Sequence, residues 1–219
     1  MDHSILKKIA KKQIKGKIGI LFAISLIMTG ILMPINYILG EANVLVSIFL
    51  APVFYFSHTV IYLNISKGIS PDVEDAFIGF RNYWSVIKLY LIKGLFIFLW
   101  SLLFIIPGII KAIEYSMAEY ILAENPELSA LDCLNESSSM MEGHKLEYFR
   151  LAISFIGWFL LGVITLCIGL IWIEPYISTT FSNYYLSLKQ EESQYYEEAL
   201  ADNISWSAVL IFKCLFMTV

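Results

Sequence analysis

"IIPGIIKAIEYSMAEYILAENP", Ile105 to Pro126, is apolar enough to enter a bilayer, yet it carries Lys111, Glu114 and Glu119. The surrounding composition sets the solvent. Of 219 residues 58% are hydrophobic and 16% are charged, with a mean hydropathy of +0.70, against about 25% charged in soluble chains. Uncharged runs lie at Ile18 to Leu39, Ala42 to Ser66 (apart from the titratable His58), Gly94 to Ile110 and Leu151 to Ile173. A helix of about 20 apolar residues spans the hydrocarbon, so the chain reads as a bilayer protein.

Two longer stretches settle the number of crossings expected. Trp84 to Asn125 and Phe149 to Lys189 are each about 40 residues, which as single helices would reach about 60 Å, twice the hydrocarbon thickness. Each must fold back. Pro107 lacks an amide donor and Gly108 tolerates a positive φ, which places one reversal there; "TLCIG", Thr165 to Gly169, supplies the other. The fold class expected is all-α, a polytopic membrane helical bundle of six transmembrane helices in three hairpins with amphipathic cytoplasmic helices. Its parts are a basic amphipathic helix over 1–17, a six-span membrane domain over 18–189, and an acidic cytoplasmic tail with an apolar end over 190–219.

Positive charge orients the bundle. Lys7, Lys8, Lys11, Lys12, Lys15 and Lys17 precede the first span; Lys67, Arg81 and Lys88 follow the second; Lys145 and Arg150 follow the fourth; Lys189 follows the sixth. The turns at Gly40, Pro107 and Gly169 carry none, so both termini are expected in the cytoplasm of a multi-pass protein of the cell membrane. The first apolar run is too long for a signal-peptide core and ends "MPINYILGEAN" without a small-residue cleavage site. It reads as a retained span.

The head "SILKKIAKKQIKGKIGI" sets Ile5, Leu6, Ile9, Ala10 and Ile14 on one side of a helix and five lysines on the other. Two roles fit: the helix lies on anionic headgroups, or the lysines enforce topology alone. Inward-running helices end alike in "IYLNISK", "EYILAEN" and "YYLSLKQ", aligning Tyr62, Tyr120 and Tyr185, so the three hairpins resemble variants of one unit. Between them, "SPDV" at Ser70 and "NPEL" at Asn125 each place a cap, a proline and an acid, which starts a cytoplasmic helix. The second such helix carries Leu128, Leu131, Leu134 and Ser138 on one face and ends at Gly143 as its C-cap.

Charge inside a span is costly, on the order of 3 kcal/mol near the bilayer centre. Lys111, Glu114 and Glu119 therefore face the bundle interior, with Lys111 and Glu114 close enough at i, i+3 to pair and Glu119 protonated or hydrogen-bonded deeper in. Glu174 joins them as a candidate intramembrane polar site, and Lys93, His58 and Asn183 are further polar groups within reach. The competing reading lets Lys93 and Lys111 snorkel to opposite surfaces while the acids hold helices together. Gly143, His144 and Lys145 in "MEGHK" form a candidate cytoplasmic contact.

Catalysis has little to stand on. His3, His58 and His144 belong to no HExxH, and no GxSxG or phosphate loop is present. Cys133, Cys167 and Cys214 are widely spaced and lack a ligand cluster. No enzyme activity, metal or cofactor is expected, and nothing points to a nucleic acid.

The block from Ile106 to Tyr176 carries a resemblance. Pro107-Gly108, Asn125-Pro126, Met141 with Gly143-His144-Lys145, Phe155-Ile156-Gly157-Trp158 and Pro175-Tyr176 resemble a family of Firmicutes integral membrane proteins, domain of unknown function nine-seven-five. More distantly, the PG turn and "MMEGHK" look like membrane domains fused to some glycerophosphodiester phosphodiesterases. The resemblance covers about Phe77 to Leu186 and implies a polytopic membrane protein without an assigned activity. "NISWSAVLIFKCLFMTV" at the end departs from the pattern; its apolar part, Trp206 to Val219, is too short to span and reads as an interfacial segment or an altered terminus. Two functions fit. One is a membrane-embedded scaffold or accessory subunit binding membrane or cytoplasmic proteins. The other is a small transporter or lipid-handling permease using the polar face of the fourth span.

Overall fold

The computed structural model describes residues 3–39, 44, 48–164 and 169–216, and among these there are helices and no strand. Residues Met1–Tyr184 form one compact unit and Tyr185–Val219 a second, helical as far as Phe216. The turn expected at Gly40, residues 165–168 of the other turn, and Met217–Val219 lie outside the described residues.

The head is helix α1 (His3–Ile14), and Gly16, at φ 83°, turns the chain into α2 (Ile18–Leu39). Leu6, Ala10 and Ile14 are buried at four-residue spacing, while Ile5, Ile9, Lys8, Lys11, Lys12 and Lys15 are exposed. One apolar stripe thus docks on the protein, and the isoleucines assigned to the same side face outward beside the lysines. Helix α3 (Ala51–Ser66) opens with Pro52 in its first turn, where the missing amide costs nothing. Leu21, Ile24 and Met28 of α2 pack with Phe54, Ile61, Tyr62 and Ile65 of α3 and Ala76 of the following connection.

That connection is a 3-10 helix, Val73–Asn82, capped by Asp72 and not by Ser70. Both residues can cap. Asp72 wins because Asp75 returns the bond: Val73 N donates to Asp72 Oδ1 at 2.6 Å and Asp72 N to Asp75 Oδ2 at 2.9 Å, a closed capping box. The helix leans directly on α3, with Gly79 N donating to Ser57 Oγ at 2.9 Å. A Cβ on Gly79 would stand 2.4 Å from the Val53 carbonyl oxygen.

Helix α4 (Tyr83–Leu103) and α5 (Ile105–Glu114) form the hairpin expected at Pro107, with different geometry. The reversal falls on one extended residue, Phe104 (φ −159°, ψ 149°), and Pro107 sits in the first turn of α5. Gly108 adopts no positive φ. It is needed for closeness instead, since a Cβ there would lie 2.0 Å from Ser101 Oγ and 2.9 Å from Ser101 Cα.

The helix expected to run on from Gly108 is broken. α5 ends at Glu114, a turn occupies 115–117, and α6 (Ala118–Glu124) resumes. The break is closed by α7 (Ala130–Met140), whose Ser137 Oγ donates to the Glu114 carbonyl at 2.6 Å and accepts from Met117 N at 3.1 Å. This helix is capped by Ser129, which accepts from Asp132 N, and not by Asn125. It packs on α4 and α6 with Cys133, Leu134, Ser137 and Met140 buried and Leu131 exposed, so it belongs to the bundle rather than lying beneath it. Burial pushes the Cys133 thiol up to about 11. Met141 is its C-cap, and Gly143 takes the left-handed turn two residues on. Helices α8 (Lys145–Ile153), α9 (Ile156–Ile164) and α10 (Leu170–Phe216) follow.

Two stretches, Ile18–Ile35 and Val73–Leu103, are long and apolar enough to cross a membrane unaided. Three of the other four expected spans fall short as continuous helices, α3 with 16 residues, α5 with 10 and α9 with 9, while α10 is long enough at 47 residues but is not among the stretches apolar enough to cross. Only 17% of each candidate window is buried, whereas the core helix of a soluble protein is mostly covered. Phe98, Leu102, Leu103, Phe104, Ile105 and Ile106 lie exposed together around the α4–α5 hairpin. Exposed apolar surface of this kind marks a site for a membrane or a protein partner.

Close packing at Gly108 has a measurable signature. Gly108→Ala should destabilise the protein by about 1–3 kcal/mol, because the added carbon meets backbone as well as side chain. Gly157→Ala, where a Cβ has open space, should be neutral or slightly stabilising. Thermal unfolding of both variants in lipid nanodiscs checks the contrast.

Candidate functional site

The four residues of the expected polar site do not converge. They divide into three clusters, each built around one carboxylate. In the first, Glu114 is 5% exposed and is held by Lys111, one turn earlier on α5, and by Lys145 Nζ at 2.5 Å from Oε1. Ser138 Oγ donates to its Oε2 at 3.4 Å. The Lys111 ammonium also sits 5.5 Å from the Trp100 ring centroid and 5.6 Å from that of Tyr115, each within cation–π range.

In the second, Glu119 on α6 accepts from Lys93 Nζ at 2.8 Å and from Thr59 Oγ1 at 3.3 Å. Both side chains are less than one-fifth exposed, so Lys93 turns toward Glu119 rather than snorkelling to a surface. In the third, Glu174 near the start of α10 meets His58 Nε2 at 2.8 Å and accepts from Tyr62 OH and Ser178 Oγ, both at 2.9 Å. His58 and Thr59 are successive residues of α3, so that helix separates the second cluster from the third.

Asn183 joins none of them. Its Nδ2 donates to Gln13 Oε1 at 2.7 Å, and Gln13 Nε2 donates to the Ser66 carbonyl at 2.9 Å, which ties α1 to the end of α3 and to the interior of α10. Lys7 fixes the other part of α1, donating to Ser154 Oγ at 2.7 Å with its ammonium 4.4 Å from the Phe155 ring centroid. Partial burial holds that ammonium below the usual lysine range.

The candidate cytoplasmic contact is likewise divided. Gly143 is exposed at its turn, His144 Nδ1 lies 3.3 Å from Glu147 Oε2, and the His144 carbonyl accepts from Tyr184 OH at 3.3 Å. Lys145 turns into the bundle, to Glu114. Among the described residues no group of three His, Cys, Asp or Glu side chains could hold a metal ion.

With this geometry in hand, comparison with known families is informative. The family described as "Protein of unknown function (DUF975)" matches over residues 1–114 and 102–192. The chain belongs to that family. Neither the curated proteins nor the solved structures yield a match.

Sequence reasoning missed Lys145, Thr59 and Tyr62 as partners of the acids, and Gln13 as the latch of the head. Glu114 and Lys145 are 31 positions apart, and only a path through the helix break brings them together. Tyr62 carried a signal, being one of three tyrosines aligned at the helix ends.

Two lysines on one carboxylate give a specific expectation. Lys111→Ala or Lys145→Ala alone leaves Glu114 a cation and lowers stability modestly. Together they strand a carboxylate in low dielectric, so the double variant should lose about 1–3 kcal/mol more than the sum of the singles. Adding Glu114→Ala should restore most of that excess. Thermal unfolding of the singles, the double and the triple checks it, and additive losses would show the three groups to be uncoupled.

Proposed function

We propose that the chain is a multi-pass protein of the cell membrane, with six crossings in three hairpins and both termini cytoplasmic, that works as a scaffold or accessory subunit. Helices α2 and α4 supply two crossings directly. The others would be assembled from shorter helices whose links are covered by protein, the condition under which irregular backbone survives at membrane depth. The pairing of Lys93 with Glu119, both side chains less than one-fifth exposed, is the observation that carries the scaffold reading. A covered, answered charge joins helices, whereas a transport path needs a charge that water or substrate can reach.

Such a protein acts through its surfaces. On α1 the exposed Lys8, Lys11, Lys12 and Lys15, with Ile5 and Ile9 beside them, have the chemistry to lie on anionic headgroups. Membrane or cytoplasmic proteins are the other partners of this reading. It assigns the chain no reaction and no nucleic acid. One observation favours the second reading, a small transporter or lipid-handling permease: the Glu174 side chain remains 39% exposed.

A reporter fused after Lys189 should be active only on the cytoplasmic side, and activity on the outer side would require an odd number of crossings. For the scaffold role, Lys93→Met with Glu119→Leu should fold as well as the parent, since apolar residues often replace a buried pair without loss, while Lys93→Met alone should cost about 3–5 kcal/mol. Proteins recovered with the full chain from native membranes should be the same for the parent and the folded double variant. Loss of those partners with folding intact would overturn the structural assignment of the pair.

A further inference from the structure

Glu114 and Glu119 are each held by lysine, but among the described residues Glu174 is answered by the ring of His58 and two hydroxyls and by no lysine. Its exposed edge opens into a groove of about 480 Å³ between α2, α3 and the start of α10. That volume lies within the range of small-ligand pockets, about 300–1,000 Å³. The walls are apolar: Phe22, Leu26 and Leu32 from α2, Phe54 from α3 and Ile171 from α10. Ser25 and Thr29, one turn apart on α2, line the same groove, and neither hydroxyl bonds a described residue. Among the described residues no lysine or arginine lines it.

We propose that this groove binds one long-chain amphiphile with an amine head, its ammonium on Glu174 and its chain along Phe22, Leu26 and Leu32. The ammonium takes the place that lysine holds at the other two acids. Charge decides the class. An anionic head would meet a carboxylate with no resident lysine or arginine to offset it. An uncharged head forgoes the gain of a charge-assisted bond. Ser25 and Thr29 can accept the remaining ammonium hydrogens. The groove faces the apolar exterior of α2, so a chain enters from lipid without crossing water.

The scaffold reading is not needed for this binding, which stands on the groove alone. The test uses the full-length protein in phosphatidylcholine nanodiscs and photo-crosslinking by dodecylamine with a diazirine on its chain. Dodecanol and dodecanoate carrying the same group serve as comparisons, with adducts mapped by mass spectrometry. Dodecylamine should label peptides containing Phe22, Leu26 or Ile171 at least about tenfold more than either comparison. Glu174→Gln, similar in size, should remove that advantage. Leu26→Trp, at an exposed position that tolerates bulk, should fill the groove and abolish labelling while thermal unfolding stays unchanged. Equal labelling by all three probes, or labelling indifferent to Leu26→Trp in the folded protein, would mark the groove as ordinary lipid contact and overturn the proposal. Preference for dodecanol or dodecanoate would overturn the amine assignment.

Discussion

Ser137 occupies the position on which the rest of the bundle depends. Where α5 stops and α6 has yet to start, the chain exposes backbone groups that a helix would satisfy internally, and this one hydroxyl serves both the Glu114 carbonyl and the Met117 amide. In apolar surroundings an unsatisfied backbone group costs several kcal/mol. The break therefore persists only because α7 returns beside it. Everything that makes this region unlike a plain span follows: α7 is drawn into the bundle, its buried face is the Cys133–Ser137–Met140 face, and the turn after it delivers Lys145 to Glu114.

The three acids share a solution and differ in its completeness. Each is anchored by hydrogen bonds between segments distant in sequence, which is how polar groups earn a place between apolar helices. Helix α3 serves two of them from adjacent residues, His58 on one flank and Thr59 on the other. Its interior face is thus polar on both sides at one level, while Ile61, Leu63 and Ile65 below are buried. The clusters with lysine are closed. The one with histidine opens to a groove.

Much of the fold was legible because apolar runs and their punctuation are local properties. Pro107 marked a reversal that does occur beside it, and Lys111 and Glu114, one turn apart, had to be neighbours on any helix. Caps were legible in kind and misplaced in position, since Ser70 competes with Asp72 and Asn125 with Ser129, and the winner is chosen by what lies three residues ahead. The glycine at 108 was read for its backbone freedom, but it serves close approach, which depends on a residue of the opposite helix. Pairings such as Lys93 with Glu119 are 26 positions apart, and no periodicity encodes them. The helix break was illegible for the same reason: its justification is a serine 20 residues away.

The latch of the head carries a consequence for biosynthesis. Gln13 bonds Asn183 and Lys7 bonds Ser154, separations of 170 and 147 residues, so α1 completes its seat only after α10 has been made. Until then its seat is on α3, where Gln13 donates to the Ser66 carbonyl. The face of α1 left outward, with Lys8, Lys11, Lys12 and Lys15 beside Ile5 and Ile9, stays available to other surfaces throughout. Completion of the bundle is then the successive anchoring of α1 at Ser66, Ser154 and Asn183, and its closing step is set by the arrival of α10.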